Sequence, residues 1–118
     1  MNVRRGDVVL IDYPYAQGGG TKARPVLVVQ NNRDNQRLPN TIVAQITSVT
    51  KRSLEPTQIL IELASSEGRQ SGLIQNSVVN CVNLFTLGKN RILRKLGSLP
   101  DSFMREVDAC LKTALDLS

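Results

Sequence analysis

The sequence predicts a mostly β (α+β) fold, a small barrel of five to seven mainly antiparallel strands with a C-terminal helix that plugs or flanks the sheet. Three features carry this expectation. Short apolar runs recur as far as Thr86, divided by glycine, proline and asparagine punctuation. Two of these runs alternate with a period of two, as half-buried strands do. From Asp101 the period changes to steps of three and four, the stripe of an amphipathic helix. A chain of 118 residues suits a single domain spanning 1–118, long enough for one apolar core and too short for two.

The first strand runs from Val8 to Tyr13, where Val8-Val9-Leu10-Ile11 leads into Asp12-Tyr13-Pro14 and proline ends the ladder. Arg5-Gly6-Asp7 in front of it is a turn signature. After a loop containing Gly18-Gly19-Gly20, Lys22 to Val29 reads as a strand buried on both faces. Its core starts at Val26, because Pro25 lacks the N–H a ladder needs. Gln30 to Asn40 reads as a polar connection. Thr41 to Ser48 alternates, with Ile42, Ala44 and Ile46 on one side and Val43, Gln45 and Thr47 on the other. Lys51-Arg52-Ser53 is a charged turn and Pro56 a breaker, followed by a strand from Gln58 to Leu63 with Ile59, Ile61 and Leu63 in phase. Gly68 to Gly72 reads as a loop. Leu73 to Thr86 holds two apolar pieces parted by Asn80-Cys81, strands with room for a bulge, and Lys89 to Leu93 reads as a helical turn. In the terminal helix Met104, Val107, Leu111, Ala114 and Leu115 form the apolar stripe. Ser98 or Leu99 would cap it, Pro100 suits the first turn and Asp101 the positive end of the dipole.

No segment approaches the roughly 18 consecutive apolar residues of a membrane span, and Met1 to Arg5 is not followed by the apolar stretch of a secretion signal. A soluble, cytoplasmic protein without membrane contact is the expectation. Cys81 and Cys110 are then two buried thiols rather than a disulfide. The chain has no histidine, which excludes a histidine acid–base pair or a histidine zinc site. No metal and no cofactor are expected.

Charge is distributed unevenly. Through Arg52 there are eight basic residues against three acidic ones, whereas the remainder carries seven of each, so the whole net charge of +5 lies in the first half. That asymmetry points to a polyanionic partner, either nucleic acid or an acidic protein. Lys22 and Arg24 leave a glycine-rich loop at a strand start, where they serve either as solvated edge charges or as an anion-binding pair.

Several words, in order and at matching intervals, carry a further signal. Arg5-Gly6-Asp7-Val8, Arg24-Pro25-Val26-Leu27-Val28-Val29-Gln30-Asn31, Ile46-Thr47-Ser48, Gly72-Leu73 with Ser77-Val78-Val79, and Gly97-Ser98-Leu99 closely resemble the MazF/PemK family of type II toxins over nearly the whole chain. The resemblance implies an SH3-like barrel that forms a homodimer, with single-stranded RNA lying across the dimer groove. It implies a sequence-specific endoribonuclease that arrests growth and is blocked by an acidic, partly disordered antitoxin, with DNA contacted only through that antitoxin. The family's catalytic arginine and its threonine or serine match Arg24 and Thr47. Metal-independent cleavage by the RNA's own 2′-hydroxyl would ask no more of these two than to hold and neutralise the reacting phosphate. The sequence departs from the family where Asn80 stands in place of an arginine, Val82 in place of a carboxylate and Phe85 in place of another arginine.

Lys22, Ser48, Lys51 and Arg52 flank the catalytic candidates and are expected to bind RNA, with Tyr15 available to stack on a base. Aromatic residues are only 3% of the chain, so base recognition would fall to hydrogen bonds from Asn31, Asn80 and Asn83. For each of these side chains an ordinary solvated role is equally open. Two other functions fit the same fold: a gyrase-poisoning toxin, disfavoured by the absence of tryptophan from the chain, and a non-catalytic SH3-like binding module for RNA or protein.

Overall fold

The structure is a computed structural model that describes residues 2–14 and 21–118. Six strands form one sheet in the order β4-β5-β3-β2-β1-β6, every neighbouring pair antiparallel. These are β1 (Asp7–Pro14), β2 (Thr21–Val28), β3 (Asn40–Thr47), β4 (Gln58–Ile61), β5 (Ser77–Gly88) and β6 (Ile92–Ser98). Three helices complete the chain: α1 (Asn32–Arg37), α2 (Ser66–Ser71) and α3 (Asp101–Leu115).

Both faces of the sheet are apolar. Val8, Leu27, Ala44, Ile46, Ile61 and Val79 form one cluster with Phe103, Met104, Val107 and Cys110 of α3. Val9, Ile11, Val26, Val28 and Val43 form a second cluster on the opposite face with Val3, Leu87 and Ile92. The alternation in β3 therefore separates two buried sides, and Ile42, expected inside, is 37% exposed near the strand start.

The sheet closes into a barrel through the connection after β4, not through a ladder. The edges β4 and β6 are not paired with each other. The α2 segment nevertheless reaches β6, where a Cβ on Gly97 would lie 2.2 Å from the Gln70 carbonyl oxygen and one on Gly72 would lie 2.1 Å from that of Leu96. Gly72 also ends α2 with a φ of 74°, a left-handed cap for which glycine is suited.

Several sequence expectations are corrected by the structure. The connection from Gln30 to Asn40 contains α1, which has no apolar stripe; Asn31 caps it by accepting the Asp34 N–H at 2.9 Å. Asn35 anchors this helix inside the protein, its Oδ1 accepting from Gln30 Nε2 at 3.0 Å and from the Thr41 hydroxyl at 2.7 Å. The loop expected at Gly68 to Gly72 is largely α2, started by Ser65, whose hydroxyl accepts the Gly68 N–H at 3.0 Å. The helical turn at Lys89 is a single 3₁₀ turn ending at Arg91, and Ile92 opens β6, a charged edge strand whose exposed Leu93, Arg94 and Lys95 hide the usual alternation. β2 begins at Thr21 rather than Val26, and Pro25 pairs with Leu10 inside it. Proline is accommodated there because the ladder with β3 stops at Val26, leaving the strand partnered on one side only. The N-cap of α3 is Pro100, not Ser98 or Leu99, and Leu115 is 53% exposed.

The Arg5-Gly6-Asp7 word serves the fold. Gly6 has a φ of 98°, the Arg5 guanidinium pairs with Asp108 of α3, and buried Asp7 accepts the Arg4 N–H at 2.9 Å and pairs with Lys95 at 3.2 Å. No helix of the described residues is long and apolar enough to cross a membrane.

Cys81 and Cys110 are free, buried thiols in the cluster under α3. The Cys81 thiol is pushed up to about 12, first by burial and then by the neighbouring Cys110, and burial also raises Cys110. An unfolded thiol keeps a value near 9.0, so above that pH the unfolded chain loses protons that the folded one retains. The contribution to stability is intact below about pH 9 and is lost as the pH rises towards 12. Neither thiol of the native protein is expected to react with a thiol-titrating disulfide reagent at pH 8, whereas both should react in denaturant. Rapid native titration of either one would contradict this packing.

Candidate functional site

The site lies where β2 and β3 part. Their ladder closes at Val26 opposite Gln45, and the same antiparallel register continued by two residues sets Arg24 opposite Thr47. Residues two apart on a strand share a face, so Arg24, Val26, Gln45 and Thr47 belong to the same side of the sheet. Arg24 is also held from the other side, opposite Ile11 of β1, and Thr47 opposite Val78 of β5. A guanidinium and a hydroxyl thus flank the point where β2 and β3 part, each on a strand held by a ladder on its outer side.

Arg24 is exposed and Thr47 half-buried. Thr47 Oγ1 accepts the Val49 N–H at 3.2 Å, which orients the hydroxyl and leaves its hydrogen to donate. Beside the pair opens a cavity of about 350 Å³ lined by Lys22, Arg24, Ser48 and Arg94, with Leu10, Pro25, Ile46 and Leu96 among its apolar residues. Three cations line it and, among the described residues, no carboxylate does. Such a cleft is shaped for a phosphate-bearing ligand.

The remaining candidates divide. Lys22 and Ser48 line the cavity with Arg24. Lys51 and Arg52 are exposed in the turn shortly after Thr47, on the same connection. Asn80 stands opposite Gln45 and donates to its Oε1 at 3.2 Å, which joins it to the face that carries Thr47. Asn83 lies elsewhere, donating to the Tyr13 hydroxyl at 3.4 Å beside a second cavity of about 440 Å³ lined by Ile11, Phe85, Leu87 and Arg91. Asn31 is occupied in capping α1, beyond the end of β2 opposite to Arg24. Tyr15 falls outside the described residues. Two further residues, Gln45 on the face of Thr47 and Arg94 in the cleft lining, were not singled out from the sequence. Gln45 was legible as the same-face neighbour of Thr47; Arg94 was not, because β6 itself carried no alternating signal.

Of the departures at 80, 82 and 85, Val82 falls in a register break of β5, while Asn80 borders it and Phe85 pairs with Val43 beyond it. Ala44 pairs with Leu84 but Gln45 pairs with Asn80, so residues 81–83 leave the ladder. Cys81 turns into the core while Val82 stands 62% exposed. Phe85 packs edge-on against Tyr13, with ring centres 5.6 Å apart.

An antiparallel six-stranded sheet with a C-terminal helix is the fold of a class of small toxins, as comparison with known proteins bears out. Residues 4–115 match the model of the PemK-like, MazF-like toxin of type II toxin–antitoxin systems. An endoribonuclease MazF of Staphylococcus saprophyticus is 37% identical over 118 residues, covering 98% of this chain and 92% of that one. Among solved structures, an endoribonuclease in complex with its cognate antitoxin from a mycobacterial species superposes with a TM-score of 0.76 at 29% identity, covering 98% of this chain and 97% of that one. A MazE–MazF structure from Deinococcus radiodurans has the same fold, with a TM-score of 0.75 at 21% identity over 100% of this chain and 99% of that one. The chain belongs to the PemK-like, MazF-like family of type II toxins.

Proposed function

We propose that this chain is a metal-independent, sequence-specific endoribonuclease that cleaves single-stranded mRNA and acts as the toxin of a type II toxin–antitoxin pair. The observation that most supports this reading is a cleft lined by Arg24, Lys22 and Arg94 where β2 and β3 part, with Thr47 standing between its lining residues Ile46 and Ser48 in the chain. The RNA's 2′-oxygen attacks the adjacent phosphorus as the bond to the 5′-oxygen breaks, leaving a 2′,3′-cyclic phosphate and a 5′-hydroxyl. Arg24 presents a planar fork of donors to two phosphoryl oxygens and stays charged at every physiological pH, so it neutralises the phosphorane without giving up a proton. Thr47 donates its hydroxyl to a non-bridging oxygen and holds the phosphate in line. With no carboxylate among the described cavity residues, solvent takes the 2′ proton and supplies one to the departing 5′-oxygen. Metal chemistry is not needed for this route. It also has no obvious ligand set: the chain lacks histidine, and no three Cys, Asp or Glu residues come together among the described residues.

The cleft equally suits the acidic segment of an antitoxin, which would fold onto it and displace RNA. The toxin acts in the cytoplasm as a homodimer and meets DNA only through that antitoxin. Incubating the purified protein with a long RNA in the presence of EDTA tests the reading. Fragments bearing cyclic-phosphate and 5′-hydroxyl ends are expected. Intact RNA would overturn it: trapped gyrase would then identify a gyrase poison, and inertness in both assays a binding module.

A further inference from the structure

Arg94 contrasts with the other cations near it. Lys95 pairs with Asp7, Arg5 with Asp108 and Arg37 with Asp34, whereas Arg94 has no ion pair or hydrogen bond among the described residues. It is exposed, and its strand position opposite Leu10 puts it in the same row as Pro25, which pairs with Leu10 from the other side. All three line the cavity that Arg24 and Lys22 also line. The interior of this cavity is apolar, with Leu10, Ile46 and Leu96, and Ile74 stands at it 90% exposed. Ser48, Ser77 and Gln75 supply hydrogen-bonding groups. An apolar floor, a few convergent polar groups and a positive rim match an unstacked nucleotide, whose base is flat and whose phosphate is anionic.

We propose that this cavity is a nucleotide subsite, in which Arg94 binds the phosphate next to the scissile one while the attached base rests on Leu10, Ile46 and Leu96. The assignment rests on the nuclease reading and extends it: Arg24 holds the phosphate that reacts, and Arg94 fixes the register of the strand that bears it. A guanidinium on the opposite side of the cavity from β3 would keep the RNA extended across the mouth, so the in-line geometry at Arg24 is set from two points.

The test is equilibrium binding of a short single-stranded RNA made non-cleavable by a 2′-O-methyl group at the scissile nucleotide, measured over a range of salt concentrations. Arg94→Ala is expected to weaken binding about tenfold and to reduce the slope of log affinity against log salt by about 0.7, one phosphate contact on a single strand. Arg94→Lys should restore the slope but not the full affinity, because it keeps the charge and loses the fork. Ile74→Ser, at a side chain too exposed to disturb folding, should weaken binding about threefold at an unchanged slope. Arg105→Ala, on the exposed side of α3, should change neither quantity. Equal affinity and slope for Arg94→Ala and the wild type would overturn the Arg94 assignment while leaving the nuclease intact. No effect of Ile74→Ser would remove the base from the cavity. Wild-type protein that binds no RNA at all would overturn this assignment and the nuclease reading together.

Discussion

Arg24→Ala is expected to lower RNA cleavage about 100- to 1000-fold, the usual cost of removing one preorganised donor from developing charge, and to abolish growth arrest at ordinary expression. Arg24 is exposed, so its removal opens no cavity in the core and the fold should persist. Arg24→Lys separates its two contributions. The ammonium keeps the charge but cannot span two phosphoryl oxygens, so cleavage should return only in part. The decisive measurement is the initial rate of cleavage of a fluorescent oligonucleotide by wild type and both variants at matched folding. Wild-type rates in the alanine variant would show that the phosphate is neutralised elsewhere.

Gly97→Ala should be strongly destabilising at the barrel seam. The added Cβ would lie 2.2 Å from the Gln70 carbonyl oxygen and 2.6 Å from the Ser71 carbonyl carbon. Both are backbone, so relief requires α2 to move off β6, and a cost of about 3 kcal/mol or more follows, near the top of the range for overpacking. For a chain of this size that lowers the melting temperature by roughly 10 °C or more. Gly88→Ala provides the control, since its Cβ would come to 2.6 Å from the Asn90 side-chain oxygen, a group able to swing away. Calorimetry of the two variants should therefore separate them clearly. A melting point for Gly97→Ala equal to that of Gly88→Ala would mean that the α2–β6 contact does not close the barrel.

What the sequence made legible depended on whether hydrophobic pattern or side-chain detail fixes each element. β1, β3, β5 and α3 bury apolar residues at strand or helix spacing, and each was found. The segments α1 and α2 are one and a half turns of polar residues, held by the Asn31 and Ser65 caps and by the buried Asn35 amide. No period can reveal them, because their stability comes from hydrogen bonds and not from a stripe. β6 is an edge strand with charges where a central strand has valine, a common protection of edges that erases its signature. The same division runs through the site. Arg24 and Thr47 were recognised through the words around them, whereas their placement on either side of the point where β2 and β3 part is defined only by the folded sheet. Arg94 enters the cleft through a strand that the pattern concealed.

The register break in β5 has a consequence for how this scaffold can vary. Residues 81–83 lie between the pairs that Gln45 and Ala44 make with Asn80 and Leu84; Cys81 still turns into the core and its N–H bonds the Thr57 carbonyl, so the β3 ladder is complete on both sides of Val82 without it. Val82 sits at the crest, answering to neither the pleat nor the interior. A carboxylate, an amide or a longer arm can be exchanged there at little thermodynamic cost, which makes this crest a place where the surface can change while the core stays as it is.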